Sequence, residues 1–235
     1  MPEKVRRGFD PSDARWFSAG EVSRLRQAQR DIVWLLDRGY GMEQSVNFVG
    51  NRFQFSARQR VALTRASCPT AVRHARLGRE QPVPPCGCVL AVDGFNLVIT
   101  LETVLSGSTV LRCMDGTLRD LAGVRGSYRL IACTLPAVRL AVEAMADWPV
   151  GRLIWVLDAP VSNSGRLAGC IREASAGSPF PVEVELSTHA DARLAAADCV
   201  VTTDSVILDH CPGWVNLAPR LAAGRPDFEP VDLSL

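Results

Sequence analysis

Three short apolar runs in the second half of the sequence each end on an aspartate. They read VLAVD, LIWVLD and VVTTD, and they end at Asp93, Asp158 and Asp204. Runs of this length, rich in Val, Ile and Leu and separated by segments with helical spacing, are typical of buried parallel strands joined by helices. The pattern predicts an α/β fold in which helices flank both faces of a parallel central sheet.

The same spacing predicts the individual elements. Strands are expected at 88–93, 152–157, 181–186, 199–203 and 214–217, and helices at 96–105, 135–147, 165–175, 189–197 and 205–210. The segment TVLRCMDGTLRD predicts a β-hairpin with Asp115 and Gly116 in a type I′ turn. The last dozen residues carry no such pattern and are predicted to be loosely ordered.

Residues 1–80 predict a small, arginine-rich, all-α domain. Helices are expected at 19–38 and 42–52, and a third begins after Ser56 as its N-cap. In this third helix, Val61 and Leu63 are expected to face inward. The arginines Arg58, Arg60 and Arg65 are expected to face outward. Several prolines between residues 69 and 87 predict the boundary to a second domain, which spans residues 81–235.

Charge is distributed unevenly between these two parts. Residues 1–80 hold 15 basic and 8 acidic side chains, whereas residues 81–235 hold 11 basic and 17 acidic ones. The first part is therefore expected to attract polyanions, with Arg58, Arg60 and Arg65 contacting backbone phosphates of a nucleic acid. Lys4 is the only lysine, which excludes a P-loop and a Schiff-base lysine in the core.

The sequence does not indicate a membrane-spanning or a secreted protein. No apolar run approaches the roughly 18–20 residues that span a bilayer, and no apolar segment follows the N-terminal arginines. We therefore predict a cytoplasmic protein, and its eight cysteines are expected to be reduced. Cys86 and Cys88 form a lone CxC that makes a poor zinc site, so they are predicted to be small apolar residues at a strand entrance.

The strand-end aspartates predict a metal site. The carboxyl ends of parallel strands meet at one edge of the sheet, so Asp93, Asp158 and Asp204 are expected to converge. Two carboxylates about 4 Å apart at an effective dielectric of about 20 repel by roughly 4 kcal/mol, which favours a bound cation. Oxygen ligands select Mg²⁺ or Mn²⁺. The alternative is that each aspartate only caps the following helix.

Other acidic residues leave alternatives open. Glu102 either reaches back toward the strand ends or belongs to a solvated helix face. Asp191 is either a metal ligand or part of a capping box with Thr188, and Asp209 is equally open.

The loop APVSNSGRLAG after Asp158 also leaves two interpretations. Ser162, Ser164 and Arg166 at a helix N-terminus predict a phosphate site, and the alternative is a serine cap with a solvated arginine.

Several of these motifs carry a resemblance to known families. The segments VDGFN, DAPVSNSG and VVTTDSVILD resemble motifs of the PIN-like nuclease superfamily, which includes the flap-endonuclease and NYN branches. The whole chain also resembles a two-part family among the domains of unknown function, with number 434 for its helical part. RGYGMEQSVNFVGNRFQFSARQR matches that part, and DGFNLVITLE, DGTLRDLAGVRGSYR, DAPVSNSG and TTDS match the other. The resemblance covers roughly residues 20–220.

The PIN-like resemblance implies a parallel sheet and a metal-dependent endonuclease that usually acts on RNA. It places the first acid of that superfamily on Asp93, with Asn96 beside it, and the late T-x-D on Asp204. It places the acid that opens the preceding helix on Asp191. Asp158 corresponds to the flap-endonuclease branch, so the resemblance leaves the ligand set open.

Together these observations predict a nuclease that uses Mg²⁺ or Mn²⁺ and cleaves phosphodiester bonds, in RNA more than in DNA. The alternative is a nucleic-acid-binding adaptor on a degenerate PIN-like fold, and a homo-oligomer is possible in either case. A haloacid-dehalogenase-type phosphatase is disfavoured because no strand ends in Asp-x-Asp. Serine-hydrolase and dinucleotide-binding motifs are absent from the sequence.

Overall fold

A five-stranded parallel sheet forms the centre of the second half of the chain, as the alternating pattern predicts. The computed structural model describes residues 5–124, 126–225 and 227–235, so Lys4 lies outside it. The strands are β1 Val89–Asp93, β2 Val110–Arg112, β3 Leu118–Asp120, β4 Arg152–Asp158, β5 Val182–Ser187, β6 Cys199–Val201, β7 Trp214–Val215 and β8 Val231–Asp232. The large sheet has the order β5-β4-β1-β6-β7, and each neighbouring pair is parallel.

The helices after β1 cover both faces of this sheet, and the helices before β1 form the N-terminal region. The helices are α1 Asp13–Trp16, α2 Ala19–Leu36, α3 Met42–Phe53, α4 Ala57–Ala66, α5 Thr70–Leu77, α6 Gly94–Leu105, α7 Thr134–Met145, α8 Ser164–Ala174, α9 Ala190–Ala195, α10 Ser205–His210 and α11 Leu217–Ala223. Along β1, Leu90 and Val92 belong to the core with α6, α7 and α8. Ala91 between them belongs to the core with α9 and α10. The two-residue alternation therefore buries apolar side chains on both faces.

The strand order creates a switch point beside β1. The chain runs outward from β1 to β4 and β5, then returns to the other side of β1 for β6 and β7. The connections after β1 therefore lead to one side of the sheet, and the connection after β6 leads to the other side. In open α/β sheets, the binding crevice lies beyond the carboxyl ends of the strands at such a point. Asp93 ends β1 and Asp204 follows β6, so both lie there.

The helices α1 to α5 form the helical N-terminal region that the sequence predicts. Ser56 caps α4 in a reciprocal capping box with Gln59, which stabilises the start of this helix. Leu63 is buried in the core of the region. Val61 was predicted to face inward and is 47% exposed, because it lies on the opposite side of α4.

The predicted outward arginines of α4 are not free surface groups. Arg58 donates to both oxygens of Asp13, at 2.5 and 2.7 Å. Arg60 donates to the Phe55 carbonyl at 3.0 Å, and Arg65 donates to the carbonyl of residue 120 at 2.6 Å. The expectation that all three side chains face freely into solvent is wrong, since each is held by at least one protein oxygen; their predicted contact with phosphates stays a prediction.

The predicted boundary segment contains a helix that the sequence analysis missed. Helix α5, Thr70–Leu77, begins directly after Pro69. Proline is compatible with a helix start, because the first N–H groups need no intrahelical acceptor. Arg76 on this helix is 3% exposed, so α5 is packed against the second half of the chain and is not a linker.

The hairpin prediction is confirmed, but its turn type is wrong. β2 and β3 pair antiparallel around Met114, Asp115 and Gly116. Gly116 has a φ of 79°, whereas Asp115 has no positive φ, which a type I′ turn requires. The Gly116 N–H donates to the Cys113 carbonyl, and the Cys113 N–H donates to the Thr117 carbonyl. This is a three-residue loop with glycine in the left-handed position, and Asp115 is completely buried in it.

Residues 227–235 contain a paired strand and a buried leucine, contrary to the prediction for the last dozen residues, of which residue 226 lies outside the described part of the chain. β8 pairs parallel with β2, and Leu233 is completely buried. Leu233 and Leu111 of β2 share a core with Leu25 and Ile32 of α2. The hairpin and the C-terminal strand therefore pack on the helical region, and one core joins residues from both sides of position 80.

Candidate functional site

A cleft of about 740 Å³ lies between the strand ends and the helices α4 and α5. Its lining includes the carboxylates Asp93, Asp158, Asp191 and Asp204, which we call the acid cluster. These residues come from three strand ends and from the first turn of α9. The fold thus brings the four carboxylates to one opening at the switch point.

Asp93 is held by donors from both neighbouring elements. Its Oδ1 accepts the Asn96 N–H at 3.3 Å, which caps α6. Its Oδ2 accepts the hydroxyl of Thr202 at 2.8 Å. Burial raises the pKa of Asp93 to about 7; the Thr202 hydrogen bond opposes this shift and the charge of Asp204 adds to it.

Asp204 caps the next helix and is tied to the same threonine. Its Oδ1 accepts the Val206 N–H at 2.7 Å, at the start of α10. Its N–H donates to the Thr202 hydroxyl at 3.0 Å. The capping interpretation therefore holds for both Asp93 and Asp204. Capping occupies one oxygen of Asp204, and its other oxygen has no protein donor in the described part of the chain.

Asp158 and Asp191 form the second half of the acid cluster. Burial raises the pKa of Asp158, and the charges of Asp191 and Asp204 add to the shift. Asp191 is exposed in the first turn of α9. The predicted capping box with Thr188 is wrong, because the capping position is His189 and its side chain makes no cap bond.

Asn96 joins the ends of β1 and β6. Its Oδ1 accepts both the N–H and the hydroxyl of Thr203, at 3.0 and 2.8 Å. Asn96 also lines the cleft. Together with the bond from Thr202 to Asp93, it fixes the spacing of the two strand ends that carry Asp93 and Asp204.

Two family matches cover most of the chain. Residues 24–79 match a protein family of unknown function, DUF434, which confirms the resemblance of the helical part. Residues 86–220 match the family described as domain of unknown function DUF5616. The chain belongs to the DUF5616 family. The acid cluster lies wholly within the segment that this family covers.

A relative supports the two-part architecture of this DUF5616 chain. The protein of Methanocaldococcus jannaschii described as uncharacterized protein MJ0935 is 30% identical over 185 residues. The alignment covers 78% of this chain and 88% of that protein, so it includes parts of both segments. No solved structure matches the chain.

Among the described residues, the four carboxylates of the acid cluster in this DUF5616 chain have no arginine partner. The buried acids elsewhere are paired: Asp13 with Arg58, Glu102 with Arg7, Asp115 with Arg76 and Arg119, and Asp120 with Arg65, whereas half-buried Glu80 has no ion pair among the described residues. Within residues 5–124, 126–225 and 227–235, none of the four cluster carboxylates makes an ion pair. Hydrogen bonds to Asp93 and Asp204 offset part of their mutual repulsion, but no described guanidinium does.

Glu102 is in neither of its two predicted positions. It is completely buried, and Arg7 donates to it at 2.7 Å. The hydroxyls of Tyr128 and Thr134 also donate to it. The carboxylate of Glu102 therefore holds the N-terminal segment against α6. All three of its partners lie away from the acid cluster, so it takes no part in that cluster.

A buried ion network beside the cleft was missed by the sequence analysis. Asp115 accepts from Arg76 at 2.7 Å, from Arg119 at 2.6 Å and from the Thr117 hydroxyl at 2.6 Å. Arg76 also donates to Asp209 at 2.7 Å, which answers the open question on that residue. Burial alone would raise the pKa of Asp115, but the guanidinium groups of Arg119 and Arg76 and the Thr117 hydrogen bond together outweigh burial, and the pKa is lowered. The DG pair in the hairpin indicated a turn and gave no sign of these partners.

The predicted phosphate loop is not part of the cleft. The Ser162 hydroxyl donates to the Tyr128 carbonyl and accepts the Tyr128 N–H. The Ser164 hydroxyl donates to the Ala159 carbonyl at 3.4 Å, and Arg166 is exposed. None of the three lines the cleft. The prediction of a phosphate site beside the acid cluster is wrong here, because the loop hydroxyls are used to hold backbone segments together.

The cleft presents carboxylate oxygens, which are the donor type that a hard cation prefers. Among the described residues, no group of three or more His, Cys, Asp or Glu side chains is arranged to hold a metal ion. The strongest charge coupling of Asp93 is with Asp204, and that of Asp158 is with Asp191. Mg²⁺ is commonly held by one or two carboxylates and keeps several waters, so each pair is a chemically suitable donor set.

The remaining predicted features lie away from the cleft. Cys86 is exposed and Cys88 is half-buried before β1, where Cys88 packs against the main core. No helix in the described part of the chain has the length and apolar character needed to cross a membrane.

Proposed function

We propose that this chain is a Mg²⁺- or Mn²⁺-dependent nuclease of the PIN-like superfamily, with RNA preferred over DNA as its substrate. The observation that carries the proposal is the acid cluster without arginine partners at the switch point of the sheet. The buried acids Asp13, Glu102 and Asp115 pair with arginines, whereas the described residues give these four no cationic partner, and a bound metal ion would supply one.

Each group in the cleft has a role in this proposal. Asp93 with Asp204, and Asp158 with Asp191, are the two pairs that would each hold an ion. Asn96 and Thr202 set the distance between the two strand ends through their hydrogen bonds. A bound divalent ion would supply a water of lowered pKa and stabilise charge on the leaving oxygen of a phosphodiester.

The second candidate is a nucleic-acid-binding adaptor without catalysis. Two observations favour it: Asp93 and Asp204 both cap helices, and no three carboxylates among the described residues form a ready ion site. Binding of a divalent ion distinguishes the two candidate functions, because only the nuclease needs an ion in the acid cluster. We also propose a cytoplasmic location, which the eight free cysteines support.

Mn²⁺ is expected to raise the melting temperature of the wild-type protein. An ion present at 100 times its dissociation constant adds about 2.7 kcal/mol to the free energy of unfolding, which corresponds to about 5–10 °C for a chain of this size. Asp93→Asn and Asp204→Asn should lose most of the shift, since each removes one carboxylate of a pair. A melting temperature that does not respond to millimolar Mn²⁺ or Mg²⁺ would contradict the ion site.

Without divalent ions, the contribution of Asp93 to the stability of the folded protein is expected to fall as pH rises from about 4 to about 7. The pKa of Asp93 is higher in the folded state than in the unfolded state, so the folded state binds more protons in this window. Asn keeps the cap and removes the charge, so Asp93→Asn should be more stable than wild type at pH 8 and gain little at pH 4. Thermal melts in a chelating buffer at several pH values measure the difference, and a gain independent of pH would contradict it.

A further inference from the structure

The cleft has a second wall that comes from the helical region. Helices α4 and α5 face the acid cluster across it, and their contribution to the lining includes Arg65, Pro69, Val72 and Arg76. The helical region is therefore one side of the site itself. Whatever enters the cleft touches residues from both family segments.

Arg119 forms hydrogen bonds to both walls of the cleft. Its Nη1 donates to the carbonyl of Arg65 at 2.6 Å, and its Nε donates to the carbonyl of Thr203 at 2.8 Å. Thr203 directly precedes Asp204, so one buried guanidinium separates the backbone of Arg65 from the backbone beside the acid cluster. The Arg65 side chain starts from this fixed point at the edge of the cleft.

Arg65 differs from the other arginines that line the cleft. Arg76 and Arg119 each use all three guanidinium nitrogens on protein oxygens. Arg65 uses only Nη1, which donates to the carbonyl of Asp120 and lies 3.7 Å from its carboxylate, and 34% of the Arg65 side chain is exposed. Within the part of the chain that the structure describes, its Nε and Nη2 have no protein acceptor. This guanidinium keeps two donors for a ligand.

We infer that Arg65 binds a phosphate group of the substrate inside the cleft, opposite the acid cluster. The inference rests on the proposed function and gives the helical region a part in substrate positioning. A guanidinium with two free N–H edges suits a phosphate, which accepts paired hydrogen bonds. Phe95, Ile99 and Val124 supply apolar lining for the attached nucleoside. The volume of about 740 Å³ suits an unpaired stretch or an end of a strand, not a duplex.

The charge of the cleft makes this binding dependent on divalent ions. Six aspartates line it: Asp93, Asp120, Asp158, Asp191, Asp204 and Asp209. Three arginines oppose them. An anion is repelled unless cations occupy the acid cluster, so the phosphate and the ion each strengthen binding of the other.

Uridine 5′-monophosphate tests the inference without any cleavage step, because it holds a phosphate and a base and has no phosphodiester bond. In calorimetric titration of the full chain, it should bind in Mn²⁺ and not in a chelating buffer. Arg65→Gln should weaken binding about tenfold or more, since a charge-assisted bond is lost. Arg65→Lys should recover part of the affinity. Arg30→Gln is the matched control, because Arg30 is exposed on α2 and its loss changes the net charge equally.

The outcomes separate the two proposals. Unchanged affinity in Arg65→Gln, or no binding of the nucleotide by wild type in Mn²⁺, overturns the inference. If binding depends on Arg65 but wild type cleaves no RNA, the phosphate site stands and the nuclease proposal fails. If RNA is cleaved, Arg65→Gln should raise KM more than it lowers kcat, which a loss of folding alone would not produce. Should Arg65→Gln fail to fold, the comparison of Arg65→Lys with wild type decides.

Discussion

Asp93→Asn and Asp204→Asn are each expected to slow RNA cleavage in Mn²⁺ by at least about 100-fold. Loss of a group that only supports a metal ligand typically costs about 10–100-fold, so loss of a ligand itself should cost more. The double variant should be scarcely slower than either single one, because residues that act as one unit are not additive. Single-turnover cleavage of a labelled single-stranded RNA measures all three rates.

Both substitutions should leave the fold intact. Asn is as good an N-cap as Asp, so the starts of α6 and α10 keep their capping bonds. Asp198→Asn is the matched control, since Asp198 is exposed just before the amino end of β6, away from Asp204. It should cleave at the wild-type rate. If both cluster variants also keep that rate, cleavage does not use these carboxylates, and the adaptor becomes the better reading.

Asp115→Asn is expected to lower the free energy of unfolding by about 3–5 kcal/mol. Asp115 is completely buried between Arg76 and Arg119, and removing its charge leaves two buried guanidinium groups without their anion. Whole domains are stable by only about 5–15 kcal/mol, so the loss is a large share of the total. Urea denaturation followed by circular dichroism measures it.

An exposed ion pair provides the control for this effect. Glu183 pairs with Arg152 at 3.1 Å, and their side chains are 56% and 45% exposed. Glu183→Gln should change the free energy of unfolding by about 0–1 kcal/mol. Because folding lowers the pKa of Asp115, its contribution should be fully present above its ordinary pKa of about 4 and should shrink as pH falls below that value. Equal losses in the two variants would mean that the buried network adds nothing beyond a surface pair.

The local pattern of the sequence was enough to predict the elements of the sheet and their acidic ends. The strands that end at Asp93 and Asp158, and the cap at Ser56, are set by residues a few positions apart. Period-two burial and helical spacing are local properties, so they can be read without knowledge of the partners. The two-part architecture followed from the change of this pattern near residue 80.

The arginines show where local patterns stopped being informative. Arg58 and Arg65 look like surface residues of an amphipathic helix, yet their acceptors come from residues 8–13 and 120–121. Glu102 likewise receives its partners from Arg7 and Tyr128. A long side chain reaches several ångströms from its helix, so its partner depends on which distant segment the fold places beside it.

The sequence by itself determined that carboxylates would stand at the ends of three buried strands. Only the tertiary structure decided that the strand order puts Asp93 and Asp204 at the switch point, and that α4 and α5 close the cleft above them. The reason is that strand order and domain packing depend on long-range contacts that no local periodicity encodes. The hairpin shows the same division: its turn was visible in the sequence, but the burial of Asp115 between two arginines required the whole fold.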